Sequence, residues 1–374
     1  MFSIMKRVIQ EVAIMNRGGQ ETLWMNVFRK IDRTKLVFDF LVYSTEKGDY
    51  DDEIKDLGGK VIYIGNNPYQ GKISKYFGEI KRVKEFFKTH KEYDTYHINT
   101  CHAMALFNVI GAHIAGVPRI IVHSHNTNAV HPTLHKLVRP FLNMFKFEAF
   151  ACSNEAGEWM FGKRKMRKGK VKIVKNGIDT GNYQFDENIR NKKRAELGIT
   201  DSTKVIGHIG RFNYQKNHSF LVDIFEEITK KYDNCKLLLV GRGELEDEIR
   251  AKVVEKGLND KVLFLGVRSD VNELLLAFDA FLFPSLFEGL PVVMIEAQAS
   301  GVPMVCSSSI PAQADLTRDI LWFPLDKTAS DWAEVVIKQM ELGRGNDIEA
   351  VIRSGYDILH TAKELERYYL DNKG

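Results

Sequence analysis

The chain of 374 residues has no run approaching 18 uncharged apolar residues. Such a run is what a membrane-crossing helix requires, so none is expected. It has four cysteines, Cys101, Cys152, Cys235 and Cys306, and no Cys-x-x-Cys pair. That excludes a disulfide scaffold and a cysteine-based zinc site, and favours reduced thiols packed as small hydrophobes. There is no low-complexity tract and no short-period repeat. Residues 1–12 carry Lys6, Arg7 and Glu11 and run straight into a strand pattern, unlike a secretory leader. The expected setting is therefore the cytoplasm.

With 44% hydrophobic and 27% charged residues, the composition is that of an ordinary globular chain long enough for two cores. The net charge of +4 conceals an asymmetry. Up to residue 180, 29 lysines and arginines face 18 acids; beyond it, 24 face 31. A basic half beside an acidic half predicts that the first half meets an anionic surface. The densest cluster is Lys163-Arg164-Lys165-Met166-Arg167-Lys168-Gly169-Lys170. Its two readings are a solvated loop and a dock for an anionic membrane leaflet, where each cation near the surface contributes about 1 kcal/mol. Nucleic acid is disfavoured, because no interleaved aromatics or binding motif accompany the charges.

Short apolar runs alternate with helical patterns. Strands are predicted at 7–12, 37–43, 61–64, 95–98, 120–122, 149–152 and 171–174, with helices at 21–30, 73–89, 104–115 and 132–145. A polar stretch from Asp179 to Arg194 reads as the linker. The alternation then resumes, with strands at 205–209, 236–240, 262–265, 280–283 and 303–305 separated by helices. This is the pattern of two doubly wound parallel-sheet α/β domains in series, Rossmann-like and facing across a cleft, with ligands expected beyond the carboxyl ends of the strands. The expected division is into domains at 1–182 and 183–352.

Four constellations sit at predicted strand ends. Gly210-Arg211-Phe212-Asn213-Tyr214-Gln215-Lys216 places two cations on one loop, suited to a diphosphate. Glu288-Gly289-Leu290-Pro291 opens a helix that carries Glu296 about two turns further on, roughly 12 Å away. The free N–H groups of that helix start are a seat for phosphate. Glu296 lies in an apolar stretch and needs a partner, for which ribose hydroxyls would serve. Gly18-Gly19-Gln20-Glu21 opens a helix after the first strand, and glycines there permit close approach by a ligand. Val122-His123-Ser124-His125 ends another strand; both imidazoles share a side, with His125 nearer the tip. No spacing links the histidines into a metal site. Three fragments are discounted. Gly65–Lys72 lacks the Ser/Thr of a phosphate-binding loop, Gly241-Arg242-Gly243 is half a dinucleotide fingerprint, and Asp49-Tyr50-Asp51 reads as a solvated turn.

Together, the Glu-x7-Glu pair, the Gly-Arg-x4-Lys loop, the Gly-Gly-x-Glu opening and the His-Ser-His-Asn strand end resemble the retaining glycosyltransferases of family 4, with the GT-B fold. The order of motifs is kept over nearly the whole chain, and the likeness is strongest to the capsular and exopolysaccharide subgroup. The resemblance implies a nucleotide diphosphate sugar, UDP-linked, held mainly by the C-terminal domain, 183–352, with the acceptor on the N-terminal domain, 1–182, and a last helix within 353–374 crossing back to the first domain. Arg211 and Lys216 would bind the diphosphate. Glu288, with the backbone of Gly289 and Leu290, would hold the sugar, and Glu296 the ribose. Val267 and Arg268 would contact the base, Gly18 and Gly19 would close over the donor, and His125 would stand near the sugar and the acceptor hydroxyl. Glu288, Arg211, Lys216 and His125 are thus the expected catalytic set. No metal or other cofactor is expected, and the acceptor would be a glycan, lipid-diphosphate-linked. A nucleotide-sugar epimerase of related architecture and a non-catalytic sugar-nucleotide-binding partner stand as the alternatives.

Overall fold

The computed structural model describes residues 5–65, 74–127, 131–288, 291–345 and 347–371. The chain folds as two compact units. One combines the chain up to Gly177 with the segment from Asp357 onward; the other runs from Ile178 to Tyr356. The limits lie a few residues from the expected 182 and 352. The reason is local: the Ile178 N–H donates to the Tyr356 carbonyl at 2.8 Å, so both crossings are tied within the second unit.

The first unit holds β1 (Lys6–Val12), α1 (Gly19–Lys30), β2 (Leu36–Val42), α2 (Asp51–Asp56), β3 (Val61–Tyr63), α3 (Ser74–Thr89), β4 (Thr95–Thr100) and α4 (Ala105–Ala115). It continues with β5 (Arg119–Ser124), α5 (Pro132–Leu142), β6 (Glu148–Ala151), α6 (Asn154–Phe161), α7 (Lys163–Arg167) and β7 (Val171–Ile173). The sheet order is β3-β2-β1-β4-β5-β6-β7, parallel throughout. Helices cover both faces, so a strand such as β2 (LVFDFLV) is buried along its whole length. Its one charge, Asp39, accepts from Arg7 Nε at 2.6 Å and from the Tyr93 hydroxyl at 2.7 Å.

The second unit holds α8 (Glu187–Glu196), β8 (Lys204–Ile209), α9 (His218–Lys231), β9 (Cys235–Val240), α10 (Glu246–Glu255), β10 (Val262–Gly266) and α11 (Val271–Ala277). Then come β11 (Ala280–Phe283), α12 (Val292–Ala299), β12 (Met304–Ser307), β13 (Ile320–Phe323), α13 (Ala329–Glu341) and α14 (Ile348–Arg353). Its parallel order is β10-β9-β8-β11-β12-β13. In each sheet the order reverses once, at β1/β4 and at β8/β11. Loops leaving adjacent strands at such a point diverge to opposite faces and leave a crevice at the strands' carboxyl ends.

The last helix, α15 (Ile358–Leu370), belongs to the first unit. Ile358, Ala362, Leu365 and Tyr369 fall on one face and join the core of Trp24, Phe28 and Phe38. Each large apolar side chain so covered contributes about 1.5–3 kcal/mol.

Three sequence readings need correction. The stretch 179–194 is not an open linker: it forms a short 3-10 turn (Thr180–Asn182) and most of α8, with Lys193 and Arg194 buried. Their charges escaped the apolar pattern because they are paired, Lys193 with Asp270 at 2.6 Å and Arg194 with backbone carbonyls. Asp49-Tyr50-Asp51 is a turn at its first two residues, as read, but only Asp49 is solvated: Tyr50 and Asp51 are buried, and Asp51 starts α2. The basic run at 163–170 begins as a helix, α7, rather than a loop. The phosphate-loop fragment Gly65–Lys72 lies, beyond Gly65, outside the described residues.

Candidate active site

In the second unit the β8 loop and the β11 loop meet at the sheet's reversal point. After β8 the chain makes a 3-10 turn at Tyr214–Lys216, whose Asn213 side chain accepts from the Lys216 N–H at 3.1 Å. Asn217 takes the left-handed conformation, φ 56°, which asparagine tolerates, and α9 starts at the next residue. Asn217 also donates to the Pro284 carbonyl at 3.2 Å, and the Leu286 N–H donates to the Gln215 carbonyl at 2.9 Å. These bonds stitch the two loops together.

On that frame Lys216 Nζ donates to Glu288 Oε1 at 2.6 Å, and Gln215 Nε2 to Glu288 Oε2 at 2.7 Å. Both charged side chains are nearly covered, with 13% and 6% of their surface exposed. The Lys216 ammonium also lies 4.4 Å from the centre of the Phe283 ring. The predicted cation and the predicted carboxylate therefore form one fixed unit. Gln215, the other partner of Glu288, was invisible as a functional residue because it fills an unspecified place in the Gly-Arg-x4-Lys pattern.

Arg211 behaves differently. It is exposed and pairs with Glu244 at 3.1 Å. Such a pair is weak, so the guanidinium is free to re-aim at an anion. Its loop is held by Gly241, at φ 133°, where a Cβ would stand 2.2 Å from the Gly210 carbonyl oxygen. Only glycine fits this approach.

Glu296 lies on α12 and accepts from the Tyr183 hydroxyl at 2.8 Å. Burial pushes its carboxyl above the usual range, and the tyrosine bond opposes that. The carboxyl already has a protein partner for one oxygen, supplied by the stretch read as a linker. Val267 is exposed. Arg268 is held in a fork on Asp270, at 2.8 and 2.6 Å, so its guanidinium is engaged within its own loop. Gly289 and Leu290 lie outside the described residues; α12 begins after Pro291.

The remaining candidates belong to the first unit. His125, just beyond β5, donates through Nε2 to Asn99 Oδ1 at 2.9 Å, an oxygen that also accepts from Trp24 Nε1 at 2.8 Å. His123 is fully buried and turned to His97, with 3.2 Å between Nδ1 and Nε2; His97 in turn lies 2.5 Å from the Tyr369 hydroxyl. Of the two imidazoles, His123 is thus engaged in the interior. Burial lowers the pKa of all three histidines, that of His125 to about 3. A neutral His125 with its Nε2–H committed to Asn99 leaves Nδ1 as a hydrogen-bond acceptor, and that atom has no partner among the described residues. Gly18 caps α1. A Cβ on Gly18 would collide with the Glu21 carboxylate at 2.3 Å, whereas Gly19 has nothing within 4 Å of that position, leaving its backbone approachable. No cluster of three His, Cys, Asp or Glu side chains able to hold a metal occurs among the described residues.

Within the basic run, Lys163, Arg164, Arg167, Lys168 and Lys170 are exposed. Lys165, counted with them in the expected anionic-surface contact, is instead turned inward. Its ammonium sits 3.8 Å over the Phe147 ring and 3.3 Å from Asn143 Oδ1, and burial lowers its pKa to about 8. All four cysteines are free, and burial raises the thiol pKa values of Cys152 and Cys235 to about 11.

Comparison with known proteins agrees with this layout. Residues 17–182 match the model of Glycosyltransferase Family 4, and residues 189–344 that of Glycosyl transferases group 1. EpsF of Bacillus subtilis (strain 168), a glycosyltransferase by name, is 34% identical over 379 residues, covering 99% of this chain and 97% of its own. The chain belongs to glycosyltransferase family 4. The capsular polysaccharide biosynthesis glycosyltransferase CapH of Staphylococcus aureus is 26% identical over 381 residues, covering 98% and 99%. The crystal structure of Anabaena Alr3699/HepE in complex with UDP and glucose superposes with a TM-score of 0.73 at 21% identity, covering 98% of this chain and 95% of that one. The fold is therefore GT-B, two parallel-sheet α/β domains.

Proposed function

We propose that this glycosyltransferase moves a sugar, with retention at the anomeric carbon, from a UDP-sugar to a lipid-diphosphate-linked glycan in capsule or exopolysaccharide synthesis. The observation that carries the reading is the covered Lys216–Glu288–Gln215 unit at the reversal point of the second sheet. The hard step is departure of a nucleotide diphosphate from the anomeric carbon. Negative charge grows on the leaving oxygen while the ring becomes oxocarbenium-like. Lys216, a re-aimed Arg211 and the N-terminal end of α12 would stabilise that charge, and prearranged charge of this kind is often the largest catalytic contribution. Glu288, held at both oxygens, would receive sugar hydroxyls, with the backbone of Gly289 and Leu290 beside it. Glu296 would use its remaining acceptor capacity on the ribose, and the Val267–Arg268 loop would meet the base. In the first unit, His125 Nδ1 would accept a sugar hydroxyl and Gly19 would admit the ligand to the backbone. The acceptor hydroxyl attacks the face the phosphate leaves, and the departing phosphate oxygen takes its proton, so this reading calls on no metal.

UDP is favoured by the ligand in the HepE complex, and surface-polysaccharide synthesis by the CapH name. A lipid-linked acceptor fits the first unit's surface. Leu137 and Phe141 on α5, with Met144 just past it, are exposed at helical spacing, and Lys165 ties α7 to the adjoining Asn143. Exposed Lys163, Arg164, Arg167, Lys168 and Lys170 would then rest against an anionic inner leaflet. No described helix is long and apolar enough to cross a membrane.

Purified protein incubated with radiolabelled UDP-sugars, with and without lipid-diphosphate saccharides, tests the reading. Acceptor-dependent transfer with α-to-α stereochemistry is expected. A product formed from the sugar nucleotide alone, epimeric at one carbon, would instead establish the epimerase.

A further inference from the structure

A line of hydrogen bonds runs through the interior of the first unit, from Trp24 on α1 to His123 on β5, and its direction is fixed atom by atom. Trp24 Nε1 can only donate, and it lies 2.8 Å from Asn99 Oδ1. The Glu11 carbonyl can only accept, and it lies 3.2 Å from Asn99 Nδ2. These two groups leave the Asn99 amide one orientation, since turning it over would set N–H against N–H and oxygen against oxygen. Trp24 and Asn99 are both buried, so a reversed amide would gain no water in compensation.

Each further bond then follows. His125 Nε2 lies 2.9 Å from the same Asn99 oxygen and must carry its hydrogen. Asn99 Nδ2 also donates to Gln10 Oε1 at 3.1 Å, which orients the Gln10 amide, and Gln10 Nε2 donates to the Tyr369 hydroxyl at 3.1 Å. That hydroxyl still has its own hydrogen to give, and His97 Nδ1 at 2.5 Å receives it. Were His97 Nδ1 the donor instead, the fully buried hydroxyl would keep a hydrogen with no acceptor. A neutral His97 with a bare Nδ1 carries its hydrogen on Nε2 and donates to His123 Nδ1 at 3.2 Å. Burial disfavours the charged form of all three imidazoles. They therefore share one state, with hydrogen on Nε2 and a bare Nδ1. We infer that Asn99, oriented by Trp24 and the Glu11 carbonyl, is the positioning residue of His125: it holds that imidazole in the Nε2–H form and, through Gln10 and Tyr369, imposes the same form on His97 and His123. His125 Nδ1 then accepts a hydrogen bond and offers none, so it selects a hydroxyl over an ether or phosphate oxygen. The value of this to transfer rests on the placement of His125 beside the sugar in the proposed function; the assignment of the hydrogens does not.

Nitrogen-15 NMR of the full chain with labelled histidine tests it, because protonated and bare ring nitrogens have well-separated shifts; single-histidine replacements assign the signals. At pH 7, His97, His123 and His125 should each show a bare Nδ1 and a protonated Nε2. Asn99→Leu keeps the volume and removes the amide, and should release His125 into a mixture of both neutral forms. Tyr369→Phe deletes one hydroxyl. It should release His97 and His123 but leave His125 fixed, because Trp24 and the Glu11 carbonyl still orient Asn99. In transfer assays Asn99→Leu should lower kcat about tenfold, the size of one hydrogen bond, with UDP binding by calorimetry unchanged. A protonated Nδ1 on His125 in the wild type, a His125 that stays wholly in the Nε2–H form in Asn99→Leu, or release of His125 by Tyr369→Phe would overturn the inference. If Asn99→Leu does not fold, the wild-type spectrum and Tyr369→Phe decide the matter. Release of His125 in Asn99→Leu with undiminished turnover would retain the positioning by Asn99 and defeat the role of His125 in transfer alone.

Discussion

Replacing Lys216 by alanine should damage stability and catalysis together, and a second substitution should separate them. The Lys216 ammonium neutralises Glu288 across 2.6 Å, with 13% and 6% of the two side chains exposed. Removing one partner of so covered a pair leaves the other charge uncompensated, which costs about 3–5 kcal/mol. The lower figure applies, because Gln215 still donates to the second oxygen. For a unit of this size, about 3 kcal/mol lowers its melting temperature by roughly 6–12 °C. Lys216→Met combined with Glu288→Gln removes both charges and keeps the volumes. Such double neutralisation of a buried pair is often close to neutral, so melting should return to within roughly 2 °C of wild type. Turnover should not return. Losing the cation at the leaving diphosphate costs about 2–4 kcal/mol in the transition state, or roughly 30- to 1000-fold in kcat. Differential scanning calorimetry and a UDP-release assay on both variants read the two effects. If the single variant melts with the wild type, the pair is not a buried one. If the double variant turns over normally, the role given to the Lys216 charge is wrong.

Glu11 predicts a pH dependence. Burial raises its carboxyl to about 8, so the folded protein holds a proton that the unfolded chain releases near 4.5. Its contribution is therefore fully present below about pH 4.5 and is lost as pH rises to about 8, by a few kcal/mol in all. Glu11→Gln should flatten this part of the urea-denaturation profile and gain most over wild type at pH 8–9; a parallel pair of profiles would contradict the assignment. Gly241→Ala should weaken UDP binding by calorimetry and lower the melting temperature, because its methyl group would meet the Gly210 carbonyl at 2.2 Å and displace the Arg211 loop by an overpacking effect of about 1–3 kcal/mol. Reversing Lys163, Arg164, Arg167 and Lys168 to glutamate should abolish flotation with phosphatidylglycerol vesicles. Lys165→Met should leave flotation intact, since that ammonium already lies against Phe147; the reverse pattern would place the docking surface elsewhere.

Much of the fold was legible because strand and helix periodicities are local. The alternation that predicted β1, β2, β8 or β11 within a residue or two needed only the spacing of apolar side chains. Where charges are buried in pairs the local signal failed. Lys193 and Arg194 on α8 looked like linker residues because their partners, Asp270 and backbone carbonyls, are supplied from elsewhere in the chain. At the site, residue types and strand-end positions pointed to Lys216, Glu288 and Glu296. Their partners Gln215 and Tyr183 carried no sequence signal of their own, since one is an unspecified loop position and the other lies in a polar stretch.

By itself the sequence determined two doubly wound parallel-sheet domains, the loops that follow their strands, and the family to which those loops belong. Only the tertiary structure decided how the side chains are spent. It turned Lys216 onto Glu288 and Arg211 onto Glu244, drew Lys165 inward over an aromatic ring, and tied His125 to Asn99. The physical reason is that partners in space are set by packing rather than by local spacing. Which distant strands become neighbours, as at β1/β4 and β8/β11, is a property of the packed sheet, and side chains on separate loops find their partners only once those elements meet.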